Sequence, residues 1–442
     1  MKSKSGFPVL YPNAAGIDIS SKEHFVAVNP SVDEHPIQAF GSFTEDLHSI
    51  AQWLAKCNVD TVAMEATGIY WVSLYLILEE AGFNVVLVNA KHVKNVSGKK
   101  SDVKDAEWIR QLHSCGLLSA SFQPDLFIRK LRCYMRHRKN LTDMAASHIR
   151  MMQKAMEQMN IKLQHVITDI TGKTGQAIIK SILDGERNSK VLLRLVDGRI
   201  KASRDDIARS LEGVWKEEHL FELRQSFEFY HFYRQKIQEC DAEIKKHLNE
   251  KSQDQSSAQR PQKVKAKSNK NNLSFDATGI LKEITGVDVT EIYGITDTNA
   301  VEIISEIGLN MTKWPTVKNF TAWLNLAPNN KISGGKLLSS KRSKKKNKAG
   351  QIFKMAAFAV QRSKNWLAVF HHRIKSRSGP AIATTATARK IAVIFYNMLR
   401  NRLEFNPIPL ETYTLHFKEQ QLRKMTKQAR RMGFRLMPEL VT

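Results

Sequence analysis

Apolar residues along the first third of the chain fall in short runs with strand-like or helix-like spacing. Residues 16–20 read as a strand that resumes at 24–28 after a tight polar break, and 38–43 reads as a third. Helical spacing follows at 47–56, then a short buried strand at 60–64, a helix at 68–80, a strand at 84–89 and a helix at 102–113. Hairpin strands first and βα units afterwards predict a mixed sheet with helices on its faces.

The period changes near residue 126. Leu131, Tyr134, Leu141, Ala145, His148, Met152, Ala155 and Met159 stand at alternating three- and four-residue steps, with Arg138 the one discordant position. Leu220, Leu223, Phe227, Tyr230, Ile237, Ile244 and Leu248 repeat the spacing. Both runs have the 3.5-residue period of coiled-coil seams, and they fit equally a seam between chains and a helical hairpin within one. Residues 249–272 are rich in Gln, Ser, Lys and Asn, the composition of a disordered linker. A second helix-rich globular unit and a basic helical stretch at 417–431 follow. The expected organisation is 1–124 (α/β), 125–248 (helical), 249–274 (linker), 275–405 (mainly α) and 406–442 (basic tail).

Charge narrows the class of partner. Lys and Arg number 68 against 43 Asp and Glu, a formal net charge of +25. A surplus of that size favours a polyanion, because each cation placed on a phosphate releases a counterion. Nucleic acid fits better than an acidic membrane surface, since no amphipathic basic anchor helix stands out. The longest apolar stretch, residues 70–90, is broken by Glu79, Glu80 and Gly82, so no transmembrane helix is expected. The N-terminus has no signal-peptide run, and Cys57, Cys115, Cys133 and Cys240 have no Cys-x-x-Cys spacing. These features predict a cytoplasmic protein with reduced thiols.

Four acids carry candidate chemistry. Asp18 interrupts an apolar strand between Ile17 and Ile19, where a carboxylate is costly to desolvate unless paired or bound to a cation. Glu65 ends the strand containing Met64. Asp102 and Asp105 are three apart at the start of a helix, where they also complement its dipole. Acids at a first strand, a later strand end and a following helix can converge at one sheet edge. There they would hold Mg²⁺, or Mn²⁺, to activate an attacking oxygen and stabilise a leaving one.

In the second unit Ser333 precedes Gly334 and Gly335, a turn that calls for positive φ. The surrounding loop is basic: Lys331, Lys336, Lys341, Arg342, Lys344, Lys345, Lys346 and Lys348 stand there with no acid. A serine in a glycine turn is ordinarily only a turn residue, and such a basic run ordinarily a solvated face.

The order of the first domain resembles the RuvC-like (RNase H-like) nuclease fold. Its strings Gly16-Ile17-Asp18-Ile19-Ser20, Met64-Glu65-Ala66-Thr67-Gly68-Ile69-Tyr70-Trp71 and Ser101-Asp102-Val103-Lys104-Asp105-Ala106 resemble the signature of the DEDD insertion-sequence transposases. Residues 284–400 resemble the C-terminal domain of the same family, relatives of the Piv-type DNA invertases, through Trp314-Pro315, Trp323-Leu324-Asn325-Leu326-Ala327-Pro328, Ser333-Gly334-Gly335-Lys336 and Ala386-Thr387-Ala388-Arg389-Lys390. The resemblance implies a recombinase in which Asp18, Glu65, Asp102 and Asp105 hold metal and Ser333 forms a covalent bond to DNA. It implies donor and target DNA as partners, a structured guide (bridge) RNA and a homo-oligomer, dimer or tetramer. Residues 284–288 and 294–297 also resemble a degraded helix–hairpin–helix. Asp288 and Thr296 stand in it where glycines would bind phosphate, so a scaffold role is expected. Three other readings are a site-specific invertase, a RuvC-like nuclease or junction resolvase using water, and a catalytically dead nucleic-acid-binding protein.

Overall fold

In a computed structural model, residues 8–88, 102–253, 269–328, 330–340 and 347–437 are described, the side chains of 102–104 and 253 excepted. The chain divides into two compact units, Met1–Pro124 and Asp125–Thr442.

The first unit is the mixed α/β sheet that the sequence predicts. β1 (Ala14–Ile19), β2 (Glu23–Ala27) and β3 (Ile37–Gly41) form an antiparallel meander, and β4 (Thr61–Glu65) and β5 (Asn84–Val88) add in parallel to the other edge of β1. The strand order is β3-β2-β1-β4-β5. Strand alternation sorts the side chains onto two faces. On one, Ala15, Ile17, Ile19, Val62 and Met64 pack with Leu47, Ile50 and Leu54 of α1 (Thr44–Lys56) and Leu74 and Leu78 of α2 (Trp71–Glu80). Each large aliphatic residue buried there contributes about 1.5–3 kcal/mol. On the other, Ala63 and Val88 pack with Ile109 of α3 (Asp102–Ser114). His113, near the end of α3, shares a 2.9 Å hydrogen bond with the Thr61 hydroxyl, and burial pushes its pKa down to about 4.

The second unit opens with α4 (Leu126–Gln158), a 33-residue helix capped by the Asp125 carboxylate, which accepts from the Ile128 N–H. Four shorter helices follow: α5 (Leu163–Val166), α6 (Lys173–Leu183), α7 (Ser189–Leu193) and α8 (Arg204–Ser210). α9 (Glu217–Gln253) then runs back along α4. Phe127 stacks on His247, Arg138 meets Asp241 and His148 stacks on Phe229, a pairing that falls on one helix as it rises on the other. The two helices therefore form an antiparallel hairpin. Leu131, Leu141, Ala145, Met152, Ala155 and Met159 are buried, as are Leu223, Tyr230, Ile237, Ile244 and Leu248. Of the two arrangements the heptads allow, the hairpin within one chain is the one built.

Arg138, discordant in that seam, has a partner. It is 3% exposed and Asp241 1%, with Nε donating to Oδ1 across 2.5 Å. The rest of the guanidinium donates to the carbonyls of Asn271 (3.0 Å) and Asn272 (2.7 Å), and Asp241 also accepts the Ser274 N–H. Lys270 adds an ion pair to Asp169. The linker expected at 249–274 is shorter than its composition implies: α9 extends through Gln253, and residues 269–274 are tied to the hairpin by these bonds, while 254–268 lie outside the described residues.

The remaining helices are α10 (Thr278–Thr285), α11 (Asp297–Ile307), α12 (Val317–Trp323), α13 (Lys348–Val360), α14 (Trp366–Ser378), α15 (Pro380–Asn401) and α16 (Leu410–Arg431). Phe320, Phe353 and Phe395 are fully buried among them. Arg132 donates to the Ser305 and Glu306 carbonyls at the end of α11, tying α4 to this part. Asp288 and Thr296 cap the turns that follow them, accepting from the N–H of Thr290 and Asn299, which fits a scaffold role for the degraded hairpin segment. α16 is mostly exposed, with Tyr413 packed against Trp366 and Phe417 lying under the Arg373 guanidinium.

Replacing one member of the Arg138–Asp241 pair leaves the other charge buried without compensation. Arg138→Met is expected to cost about 3–5 kcal/mol in urea unfolding, and Arg138→Met/Asp241→Leu to recover most of it. A double variant no more stable than the single one would contradict this account.

Candidate active site and nucleic-acid interface

Strand register decides where the acids of the first unit stand. β1 and β4 are parallel with Gly16 opposite Ala63 and Ile17 opposite Met64, so Asp18 comes level with Glu65 one step further on. Both are on the α3 face. Along β4, Thr61 meets His113 and Ala63 packs with Ile109. Two residues of strand and four of helix each advance about 6–7 Å, so Glu65 falls level with the first turn of α3. That turn carries Asp105 and begins at Asp102.

Gly16 fixes the second coordinate. A Cβ built there would lie 2.3 Å from the Arg110 nitrogen and 2.5 Å from the Ala106 carbonyl oxygen, so β1 touches the backbone of α3 directly. Leu10 and Tyr11 donate to the Ser114 carbonyl at the far end of the helix. β1 therefore climbs toward the start of α3, and Asp18 is two residues past Gly16 in that direction. Asp18 is half-buried and Asp105 half-buried; Glu65 is buried, with its Oε1 accepting from the Thr67 hydroxyl at 3.1 Å. Among the described residues no three Asp, Glu, His or Cys side chains stand close enough to hold an ion. The Asp102 side chain lies outside the described residues.

In the second unit the run expected as an open loop is a β-hairpin, β6 (Lys331–Ser333) and β7 (Lys336–Ser339). Its two-residue turn is Gly334-Gly335, with φ of 54° and 73°, the left-handed pair that suits the twist of a tight hairpin. Periodicity missed it because the strands are short and exposed; the Gly-Gly pair was the available signal. Ser333 and Lys336 face each other across that turn as register partners. Both are exposed, and nothing lies within 4 Å of a Cβ built on either glycine, so the tip stands clear. Lys331 and Lys348 are also exposed, the latter opening α13. Lys341, Arg342, Lys344, Lys345 and Lys346 lie outside the described residues.

Residues 15–161 match a family model for transposases of the DEDD, IS110 type, and residues 288–372 match a model described as transposase, IS116/IS110/IS902 family. The chain belongs to this family of insertion-sequence transposases. The two matches together span just over half of the chain, and no curated protein matches it. The first covers Asp18, Glu65, Asp102 and Asp105; the second covers Ser333 and the hairpin. The transposase is thus an enzyme that cuts and rejoins DNA. Among its described residues no helix is long and apolar enough to cross a membrane.

Sequence patterning gave Gly16 no role beyond its place in a motif, although the placement of Asp18 against α3 depends on it. Gly16→Ala must push α3 away from β1, at an expected cost of about 1–3 kcal/mol and with slower DNA cleavage. Thermal melting and a strand-cleavage assay check both; unchanged melting would show that α3 does not need this contact.

Proposed function

We propose that this transposase breaks DNA by attack of the Ser333 hydroxyl on a backbone phosphate, assisted by Asp18, Glu65, Asp102 and Asp105 as metal ligands. In the step, a bond forms between Ser333 Oγ and phosphorus as the bond from phosphorus to a sugar oxygen breaks. The hydroxyl proton leaves Oγ, and the departing sugar oxygen is protonated. The ester stores the energy of the broken bond, so attack by a sugar hydroxyl rejoins DNA with no other energy source. A serine hydroxyl is a weak nucleophile until its proton is withdrawn. Lys336, across the turn, is suited to offset charge on the attacked phosphate.

The observation that carries the reading is the hairpin tip. A turn of two left-handed glycines presents a serine and a lysine side by side in open space, within the segment matched by the second family model. In the first unit the donors fit a divalent ion by chemistry: all are carboxylates, the hard oxygen ligands that Mg²⁺ and Mn²⁺ prefer. Asp18 and Glu65 are level on adjacent strands, and α3 starts beside them. Bound there, the metal would supply Lewis-acid stabilisation of charge on phosphate oxygens.

Donor and target DNA as substrates follow from the family. A structured guide RNA is part of the proposal, supported by the net charge of +25 and by the lack of a base-reading motif in the sequence. A homo-oligomer is proposed as well, on a surface other than the heptad seams, which pack on each other inside the chain. Met144, Met151, Phe229 and Phe232, each 45–50% exposed on α4 and α9, supply apolar area for it.

Asp18→Asn is expected to abolish strand cleavage while leaving nucleic-acid binding largely intact, and excess EDTA to do the same. Ser333→Ala should remove the covalent protein–DNA species from denaturing gels, whereas Ser339→Ala retains it. Full cleavage by Ser333→Ala would make water the nucleophile; full cleavage in EDTA would remove the metal from the account.

A further inference from the structure

Beside the base of the hairpin lies a cavity of about 430 Å³ that the chemistry above does not use. Pro328 and Ser340, on the chain just before and just after the hairpin, form part of its wall, with Phe370 of α14 and Ile382, Arg389 and Lys390 of α15. The volume falls in the range of about 300–1,000 Å³ that holds small organic groups, far too small for a duplex. The lining is mostly apolar, with two cations.

We propose that this cavity takes a single unstacked nucleobase of the DNA strand held at the hairpin, stacked on Phe370 with an adjacent phosphate on Arg389 and Lys390. Three observations support it. Ile382 leaves 56% of its surface exposed at a cavity with two basic residues, an arrangement suited to a ligand that is flat and apolar on one side and anionic on the other. The Phe370 ring already has cations near it: the Lys390 ammonium at 5.8 Å and the Arg373 guanidinium at 5.5 Å from its centroid. Aromatic rings flanked by basic groups are what strand-binding proteins use to stack bases without reading sequence. The third observation is position. Ser339, the residue before Ser340, pairs with Lys331, two residues from Ser333. At about 3.3 Å per strand residue the cavity mouth is roughly 7–10 Å from the serine, or about two to three nucleotides of duplex rise. A base drawn out there would loosen the stack beside the attacked phosphate and fix the strand in register with Ser333.

The location of the base rests on Ser333 as the site of attack; its capture does not. The test therefore uses the full chain carrying Ser333→Ala, which performs no serine chemistry, and reads binding alone. The probes are a thymidine oligonucleotide with one 5-iodo-2′-deoxyuridine for photocrosslinking, the unsubstituted oligonucleotide, and a strand of equal length built of abasic nucleotides. Crosslinking followed by trypsin and mass spectrometry is expected to mark the peptide that contains Phe370. Phe370→Leu, which keeps an apolar wall but removes the ring, should weaken binding of the base-containing strand about ten-fold and leave the abasic strand unchanged. Ile382→Ser, at an exposed position that puts folding at no risk, should reduce the same crosslink. Arg389→Gln should weaken both strands alike. Crosslinks confined to other peptides, or equal loss of abasic and base-containing strands in Phe370→Leu, would overturn the proposal and leave the cavity as a phosphate contact only. Loss of the Ser333 adduct model with these results intact would move the site of attack and not the base.

Discussion

The first unit depends on one backbone contact. β1 lies directly on α3 because Gly16 has no side chain to hold the helix off, and a Cβ there would sit 2.3 Å from a backbone nitrogen. From that contact the strand register does the rest: Asp18 and Glu65 come level on neighbouring parallel strands, and α3 starts where they end. Under the proposed function, a divalent cation shared by these carboxylates would offset their like charge. The apolar core on the opposite face is built on Ile17, Ile19 and Met64.

A buried charge plays the corresponding part in the second unit. Arg138 reaches across the helical hairpin to Asp241 and on to the carbonyls of Asn271 and Asn272, so one guanidinium fastens both long helices and the chain that leads into the C-terminal helices. Every donor it uses in these bonds faces a satisfied acceptor, the condition under which a buried ion pair is tolerated. The heptad seams pack on each other within the chain. What α4 and α9 leave outside is a different set, Met144, Met151, Phe229 and Phe232.

Much of this was legible in the sequence where periodicity reports burial. Each predicted element of the α/β domain exists, because Ile17, Val62, Leu74 and their neighbours alternate or recur at the spacing of the faces they bury. Arg138 was legible only as an anomaly: spacing marks a residue as out of pattern but not its partner 103 positions away. The linker was overdrawn because composition misses backbone bonds such as those that hold residues 269–274. The hairpin at Ser333 escaped because its three- and four-residue strands are exposed and carry no burial signal. The cavity beside it draws Phe370 and Lys390 from two helices, and no local spacing joins them.

The central proposal is that Asp18, Glu65, Asp102 and Asp105 bind a divalent metal, Asp18 and Glu65 being level on adjacent strands beside the start of α3. Its most direct test is Mn²⁺ binding to the intact transposase without DNA, followed by electron paramagnetic resonance. The account predicts saturable binding that Glu65→Gln weakens by at least ten-fold, while Glu79→Gln, on the exposed end of α2, leaves it unchanged. Equal Mn²⁺ affinity in the wild type and Glu65→Gln would contradict it.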